Sequence, residues 1–434
     1  MVQRVPNPTA VGSDASDPAE LARALADRAR VAARRLATAS RADKDRVLCR
    51  IAELLEEPGA RAAVLAANEA DVAEARSRGV EEAMLDRLAL NEARLASLAG
   101  SVRAIAAFDD PVGTVIGMTR RPNGLTVGRV RVPLGVILMI YEARPNVTVD
   151  SAALALKSGN AVLLRGGKEA ARSNQALGKV VRQALAEVGL PEDAALIVPA
   201  TDREQMKHLL GLTGKIDLAI PRGGVGLIRF VAENARVPVV EHYHGVCHLY
   251  VDAGADLDMA ERLVENAKLS RVSVCNALEC LLVHQAEASA FVPRLERLIR
   301  EKGLEVRGDD ETRALLAQAR EAHDEDWGQE FLAKILAVRV VPSFDAALEH
   351  IATYGSRHTE AICTRSWDRG QRFLREVDAS CVLVNASTRF NDGGELGLGA
   401  EMGISTSKIH AYGPMGLEHL TTLKWIAHGD GHVR

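Results

Sequence analysis

Aromatic side chains are scarce, at 3% of the chain, so a surface that binds nucleic acid by stacking bases on rings is not expected. The formal charge of −4 argues against a polyanion partner for the chain as a whole, while leaving room for local basic patches. No stretch approaches the roughly 18–20 consecutive apolar residues of a membrane span. The opening "MVQRVPNPTAVGSDASDPAE" lacks an apolar core flanked by basic residues, so it is not a secretory signal, and residues 1–16 are expected to be a disordered leader. The six cysteines (49, 247, 275, 280, 363 and 381) are scattered and show no CxxC or other metal-ligand spacing. Reduced thiols in a cytoplasmic protein without a metal centre are the economical reading.

What is present is a globular composition, 47% hydrophobic and 26% charged over 434 residues. That length exceeds one ordinary core, so two or three domains are expected. From Asp17 to about Ala107, Ala, Leu, Arg and Glu recur at helical spacing, as in "LARALADRARVAARRLA", and predict a helical layer without visible chemistry. The segment "GTVIGMTRRPNGLTVGRVRVPLGVILMIYE" then turns β-branched. Its Asn123-Gly124 pair marks a turn, which predicts a hairpin arm leading into a buried strand.

Strand and helix alternate from there: "LGVILMIYE", a helix over 148–158, "NAVLLRGG", a helix over about 173–188, "AALIVPA", a helix over about 203–212, and "IDLAIPRGG". Short apolar strands between amphipathic helices predict parallel βαβ units in a doubly wound α/β sheet. Ligands of such a sheet sit at the carboxyl ends of its strands, here 142–146, 165–169, 199–202 and 221–226. A second alternating region, from "VPVVEHYHGVCHLYVD" to "CVLVNAS", predicts a second α/β domain with Cys275 in its early part.

The dinucleotide fingerprint GxGxxG follows none of these strands. "PRGGVGLIRF" (221–230) places glycines between an apolar strand and an apolar helix, as a phosphate cradle or as a plain tight turn. "LLRGGKEAARSN" (163–174) offers Arg165 and Lys168 beside two glycines, as a site for a phosphorylated ribose or as a solvated loop. Cys275 is a nucleophile only if its pKa is lowered or a base is near. A helix expected to begin near Asn276 would favour the thiolate, whereas a lone cysteine read without context is inert core. Cys49, Cys280, Cys363 and Cys381 take the inert reading. His242, His244 and His248 surround Cys247, but a metal site there would need ligands from elsewhere.

Several segments together, "VPLGVILMIYEARPNVTVDSAALALKSGNAVLLRGGKEAARSN", "IPRGGVGLIRFV", "SVCNALECLLVH", "YGSRHTEAICT" and "STRFNDGGELGLGAEMGIS", closely resemble the gamma-glutamyl phosphate reductase family of the aldehyde dehydrogenase superfamily. The resemblance runs from about Pro18 to Arg434. It implies an aldehyde dehydrogenase-like α/β fold with a Rossmann-like cofactor domain (17–111 and 133–238), an α/β catalytic domain (239–380), and a small β oligomerisation arm (112–132 with part of 381–434). The activity it implies is NADPH-dependent reduction of L-glutamyl 5-phosphate to L-glutamate 5-semialdehyde, with release of phosphate, in L-proline biosynthesis.

The same resemblance puts the nucleophile on Cys275, with the side-chain amide of Asn146 and the backbone NH of Cys275 on the oxyanion. Arg165, Lys168 and Glu169 fall where the superfamily contacts the adenosine ribose, and two cations there suit NADP(H) better than NAD. Gly223, Gly224 and Gly226 match the segment beside the cofactor's phosphates, and Glu330 matches a glutamate that holds the nicotinamide ribose. Arg144, Arg271 and Arg389 are candidate cations for the substrate's carboxylate and phosphate. The family's E-T-G-V-G-N-C-H is met here as "EHYHGVCH" (241–248), which leaves the roles of Glu241, Tyr243 and His244 open. The arm implies a homo-oligomer, and docking of glutamate 5-kinase to deliver its labile product is left open.

Overall fold

The computed structural model describes residues 17–199, 203–240 and 244–434. These form two compact units, one comprising the described residues up to Val239 with Leu420–Arg434, the other Val240–His419.

The first unit opens with five helices: α1 (Pro18–Leu36), α2 (Arg41–Glu56), α3 (Pro58–Ser77), α4 (Glu82–Leu88) and α5 (Glu92–Ala107). The Asp17 carboxylate caps α1 and Pro18 occupies its first turn, where no NH is needed. Ala22, Leu25, Ala26, Ala29 and Ala33 then recur on one buried face. Cys49 on α2 is exposed, a correction to its expected place in the core, because it lies on the helix face opposite Val47, Leu48 and Ile51. The strands β1 (Val115–Arg120) and β2 (Thr126–Pro133) make the expected antiparallel hairpin, closed by a turn in which Gly124 takes φ +91°.

The sheet of this unit is parallel: β3 (Val136–Tyr141), β4 (Ala161–Arg165), β5 (Ala195–Ile197) and β6 (Leu218–Arg222), in the order β5-β4-β3-β6. Its helices are α6 (Asn146–Lys157), α7 (Ala171–Val188), α8 (Arg203–Leu210) and α9 (Val225–Asn234). The helices α6 and α7 each begin two residues earlier than the spacing predicts. The strand order reverses between β3 and β6, so the carboxyl ends of these two strands flank the topological switch point.

The second unit carries a seven-stranded parallel sheet. In chain order its elements are β7 (Cys247–Val251), α10 (Leu257–Leu269), β8 (Leu278–His284), α11 (Gln285–Phe291), α12 (Leu295–Lys302), β9 (Glu305–Gly308), α13 (Asp310–Leu315), β10 (Arg320–Glu321), β11 (Ile335–Val341), α14 (Phe344–Tyr354), β12 (Thr359–Cys363), α15 (Trp367–Glu376) and β13 (Cys381–Val384). The sheet order is β10-β9-β11-β8-β7-β12-β13, with one apolar cluster built on Leu249, Leu281 and Val338 and a second on Tyr250, Leu282 and Phe344. Leu249 and Tyr250 are consecutive on β7, as are Leu281 and Leu282 on β8, so the two clusters lie on opposite faces of the sheet. This unit extends beyond the 380 boundary expected for it, because β13 pairs with β12 and the chain after it bonds back to the segment before β8. A two-stranded piece, β14 (Ile404–Ser405) with β15 (Gly413–Pro414), follows.

The last strand, β16 (Thr421–His428), pairs with β2 of the first unit along its whole length. Buried Asn160 fastens its start: Oδ1 accepts the NH of Gly135 at 2.7 Å, and Nδ2 donates to the carbonyl of Leu420 at 2.9 Å and to Ser158 Oγ at 2.9 Å. Asn160→Ala leaves the half-buried NH of Gly135 and the buried Leu420 carbonyl and Ser158 hydroxyl without these partners. A loss of roughly 2–4 kcal/mol is expected, read as a lower urea midpoint at unchanged slope.

Candidate active site

Cys275 is half-buried and lies in an irregular stretch, residues 270–277, between α10 and β8. The helix expected after Asn276 is not there. Leu278–His284 is a buried, largely apolar strand, so the residues after Asn276 supply no helix N-terminus to the thiolate. Side chains hold this stretch instead. Asn276 donates from Nδ2 to the carbonyls of Arg389 (3.3 Å) and Asn391 (3.0 Å), accepts a bond from the Arg389 guanidinium on Oδ1, and accepts the Thr388 hydroxyl on its own carbonyl at 2.7 Å. Asn391 in turn donates to Thr359 Oγ1 at 2.8 Å, at the start of β12.

On the other side runs the chain leading into β7. A Cβ added at Gly245 would lie 1.9 Å from the carbonyl oxygen of Cys275, so only glycine permits this approach. The NH of Gly245 donates to Glu330 Oε1 at 3.0 Å, the NH of Val246 to Ser356 Oγ at 2.9 Å, and the thiol of Cys247 to the Cys275 carbonyl at 3.2 Å. Cys275 therefore sits at the amino ends of β7, β8 and β12. Burial pushes the Glu330 carboxyl up, against the pull of the Gly245 NH, His244 and Lys268.

Two buried ion pairs back the site. Lys268 Nζ donates to Glu279 Oε2 at 2.5 Å, and burial pushes Glu279 up to about 7 even with Lys268 opposing. Glu279 is the bulged residue between Leu278 and Cys280, which pair with Cys247 and His248 of β7. The second pair is His248 Nδ1 with Glu360 Oε2, at 2.8 Å between β7 and β12. Burial opposes the His248 charge, but Glu360, with Cys280 adding, pushes its pKa up to about 10.

Of the three histidines around Cys247, His242 lies outside the described residues and His248 points into the core. There its ring meets Cys280 and His350, with donor atoms within 4.8 Å of one another. His350 is neutral, pushed down to about 2 by burial. Arg339 donates to its Nδ1 at 3.0 Å, so the ring proton sits on Nε2, 3.5 Å from Cys280 Sγ. Both nitrogens of His350 are thus hydrogen-bonded, whereas the buried Nε2 of His248 has no hydrogen-bond partner among the described residues.

In the first unit, the predicted residues gather at the carboxyl ends of β3, β4 and β6. Ala143 adopts φ +42°, and its NH donates to Glu169 Oε1 at 2.6 Å. Gly167 must be glycine for Glu169 to fold back, since a Cβ there would meet Oε1 at 2.0 Å. Arg165 is buried at the end of β4, Lys168 is exposed and Arg144 is half-buried. The Glu142 carboxylate accepts the NH of Gly224 at 3.0 Å, where α9 begins, whereas a Cβ at Gly226 would meet nothing within 4 Å. Asn146 is the first residue of α6, and its amide donates to Asp150 Oδ2 at 3.0 Å. In the second unit Arg389 and Glu330 are linked to the Cys275 stretch, while Arg271 is exposed. Glu241, Tyr243 and residues 200–202 lie outside the described residues. Sequence reasoning missed Gly245, Cys247, Asn276, Thr388, Asn391, Ser356 and His358 as a framework, since their only signal was membership of the quoted motifs.

The aldehyde dehydrogenase family model matches residues 7–327. The gamma-glutamyl phosphate reductase of Sorangium cellulosum is 68% identical over 415 residues, covering 95% of this chain and 97% of that protein. The crystal structure of gamma-glutamyl phosphate reductase from Thermotoga maritima superposes with a TM-score of 0.93 at 45% identity, covering 95% of this chain and 99% of that one. An acetylating aldehyde dehydrogenase from Geobacillus thermoglucosidasius, at 17% identity and TM-score 0.68, shares the fold, covering 96% of this chain and 98% of that one.

Gly245→Ala is expected to lower turnover by about 10²-fold or more with the chain still folded, because the added methyl displaces the Cys275 peptide. Kinetics beside a far-UV CD spectrum check it. The pH dependence of stability tests the His248–Glu360 pair. With the folded-state pKa above the unfolded 6.5, the stabilisation is complete below pH 6.5 and is lost as pH rises through about 10. Wild type should lose up to about 1.4 kcal/mol per pH unit in that window, and His248→Gln should lack this slope in urea titrations.

Proposed function

The chain belongs to the gamma-glutamyl phosphate reductase family within the aldehyde dehydrogenases, and from that premise we propose that it reduces L-glutamyl 5-phosphate to L-glutamate 5-semialdehyde with NADPH, through a thioester on Cys275. It is an oxidoreductase of proline biosynthesis that uses a nicotinamide cofactor. The observation that supports the reading best is the bracing of Cys275: a half-buried thiol whose peptide is held by Gly245 on one side and Asn276 on the other.

In this reading the Cys275 thiolate attacks the acyl phosphate, and phosphate leaves with its bonding electrons, giving a thioester. The reduced nicotinamide supplies the hydride that takes the acyl group to the aldehyde level. Collapse of the tetrahedral adduct then returns the thiolate. The oxyanion is assigned to the Cys275 NH and to the amide of Asn146, whose Nδ2 carries two hydrogens, only one of them needed for Asp150.

The strand ends of the first unit fit a dinucleotide. Arg165 and Lys168 supply cations that suit a 2′-phosphate, which favours NADP over NAD, and the open space at Gly226 lets a phosphate approach backbone. A phosphate on the NH of Gly224 requires Glu142 to release it. Because Oε1 of Glu330 holds Gly245, a ribose contact by Glu330 falls to Oε2. Glu169 is assigned to the adenosine ribose, and Arg144, Arg271 and Arg389 to the substrate's charged ends. Arg389 is the best supported of these, being tied to the residue after the nucleophile. The hairpin exposes every residue of β1, among them Val115, Ile116 and Met118, and Trp425 on β16 is also exposed. Such a surface suits homo-oligomer formation.

The reverse reaction tests the assignment: reduction of NADP followed at 340 nm with glutamate semialdehyde, with and without inorganic phosphate, for wild type and Cys275→Ser. Phosphate-dependent turnover that vanishes in the variant is expected. Turnover without phosphate would move the chain to the hydrolytic dehydrogenases.

A further inference from the structure

One reactive group beside the nucleophile is not used by this chemistry. We propose that Cys247 is a resolving cysteine: when a hydroperoxide oxidises Cys275, Cys247 forms a reversible disulfide with it and keeps the nucleophile from further oxidation. The proposal rests on the reading of Cys275 as the reactive thiol.

Cys247 is fully buried at the start of β7, with its sulfur 3.2 Å from the carbonyl oxygen of Cys275 and 3.6 Å from Nδ1 of His358. A carbonyl oxygen lies about 2.4 Å from its own Cα. The Cys247 sulfur is thus at most about 5.6 Å from the Cys275 Cα, and a disulfide sets that separation at roughly 4 Å. Closure needs an approach of at most about 1.6 Å, which the Asn276 bonds that brace this stretch must accommodate. Residues 271–277, which carry Cys275, are in neither helix nor strand, so such a shift breaks no ladder.

The two thiols differ in the way the two roles require. Cys275 is half-buried and is the one a small peroxide reaches. Cys247 is sealed from solvent, and burial, with Glu360 and Cys275 adding, holds its thiol well above the usual range. Burial shelters it from peroxide, and its proton passes to the His358 imidazole, 3.6 Å away, as its sulfur attacks.

The steps balance. The Cys275 thiolate attacks one peroxide oxygen, the O–O bond breaks, and the alcohol or water leaves after taking a proton, with Cys275 now a sulfenic acid. The Cys247 sulfur then attacks the Cys275 sulfur, forming S–S as S–O breaks. The departing hydroxide becomes water with the proton of the Cys247 thiol, for which the His358 imidazole is a relay. Two thiols lose two electrons in all, and the hydroperoxide gains them.

The test is peptide mapping by mass spectrometry of the full chain under non-reducing conditions, after hydrogen peroxide in several-fold molar excess, enough to carry an unprotected thiol through two oxidation steps, with activity followed before and after dithiothreitol. Wild type should yield a linked Cys247–Cys275 pair, two hydrogens lighter than the dithiol, and recover its activity on reduction. Cys247→Ala, or Cys247→Ser if the first does not fold, should yield no linked pair. Relative to its own starting activity, the variant should be lost irreversibly as Cys275 passes to the sulfinic acid. Sulfinic Cys275 in wild type with no linked pair, as in the variant, overturns the proposal. The linked peptide is read without any substrate, so a wrong assignment of the reaction leaves this outcome unaffected.

Discussion

The contact between the Cα of Gly245 and the carbonyl of Cys275 is the constraint around which the second unit is arranged. A backbone can approach another carbonyl this closely only where no side chain stands between them, so the strand entering β7 must carry glycine at that point. Everything adjacent then serves to hold the approach. Glu330 takes the NH of Gly245, Ser356 takes the NH of Val246, and the Cys247 thiol reaches the same Cys275 oxygen. Asn276 closes the far side by bonding the 387–391 loop with both ends of its amide.

The two sheets present their chemistry at opposite ends. In the first unit the candidate binding residues follow β3, β4 and β6, as expected for a doubly wound sheet. In the second, Cys275 and its neighbours precede β7, β8 and β12. The backbone groups there lie outside the strand ladders and need other partners. Asn276, Thr388 and Asn391 supply them, so the order of this stretch comes from side-chain to backbone bonds and not from a helix end.

Behind this stretch the sheet holds charge. Buried ion pairs such as Lys268–Glu279 and His248–Glu360 are weak sources of net stability, because desolvation offsets most of their attraction. Their geometry is specific, however. Glu279 emerges at a bulge and His248 bonds across to β12, so each pair pins the register of strands whose first residues lie beside the Cys275 stretch. A purely apolar packing of the same strands would not distinguish one register from another as sharply.

Periodicity and turn chemistry determined much by themselves. The helical layer, the Asn123-Gly124 hairpin, the parallel sheet of the first unit and the clustering of Arg165, Lys168 and the glycines at its strand ends are all local consequences of spacing, and quoted motifs identified the family. Where the helices begin, that Cys49 is exposed, and that a strand rather than a helix follows Asn276 depended on what packs against each segment. The tertiary structure alone decided that Cys247, 28 residues before Cys275, bonds the Cys275 carbonyl, and that Arg389, 113 residues after Asn276, bonds the Asn276 amide. No local pattern encodes such contacts, because hydrogen bonds between segments this far apart exist only once the sheet has set which strands are neighbours.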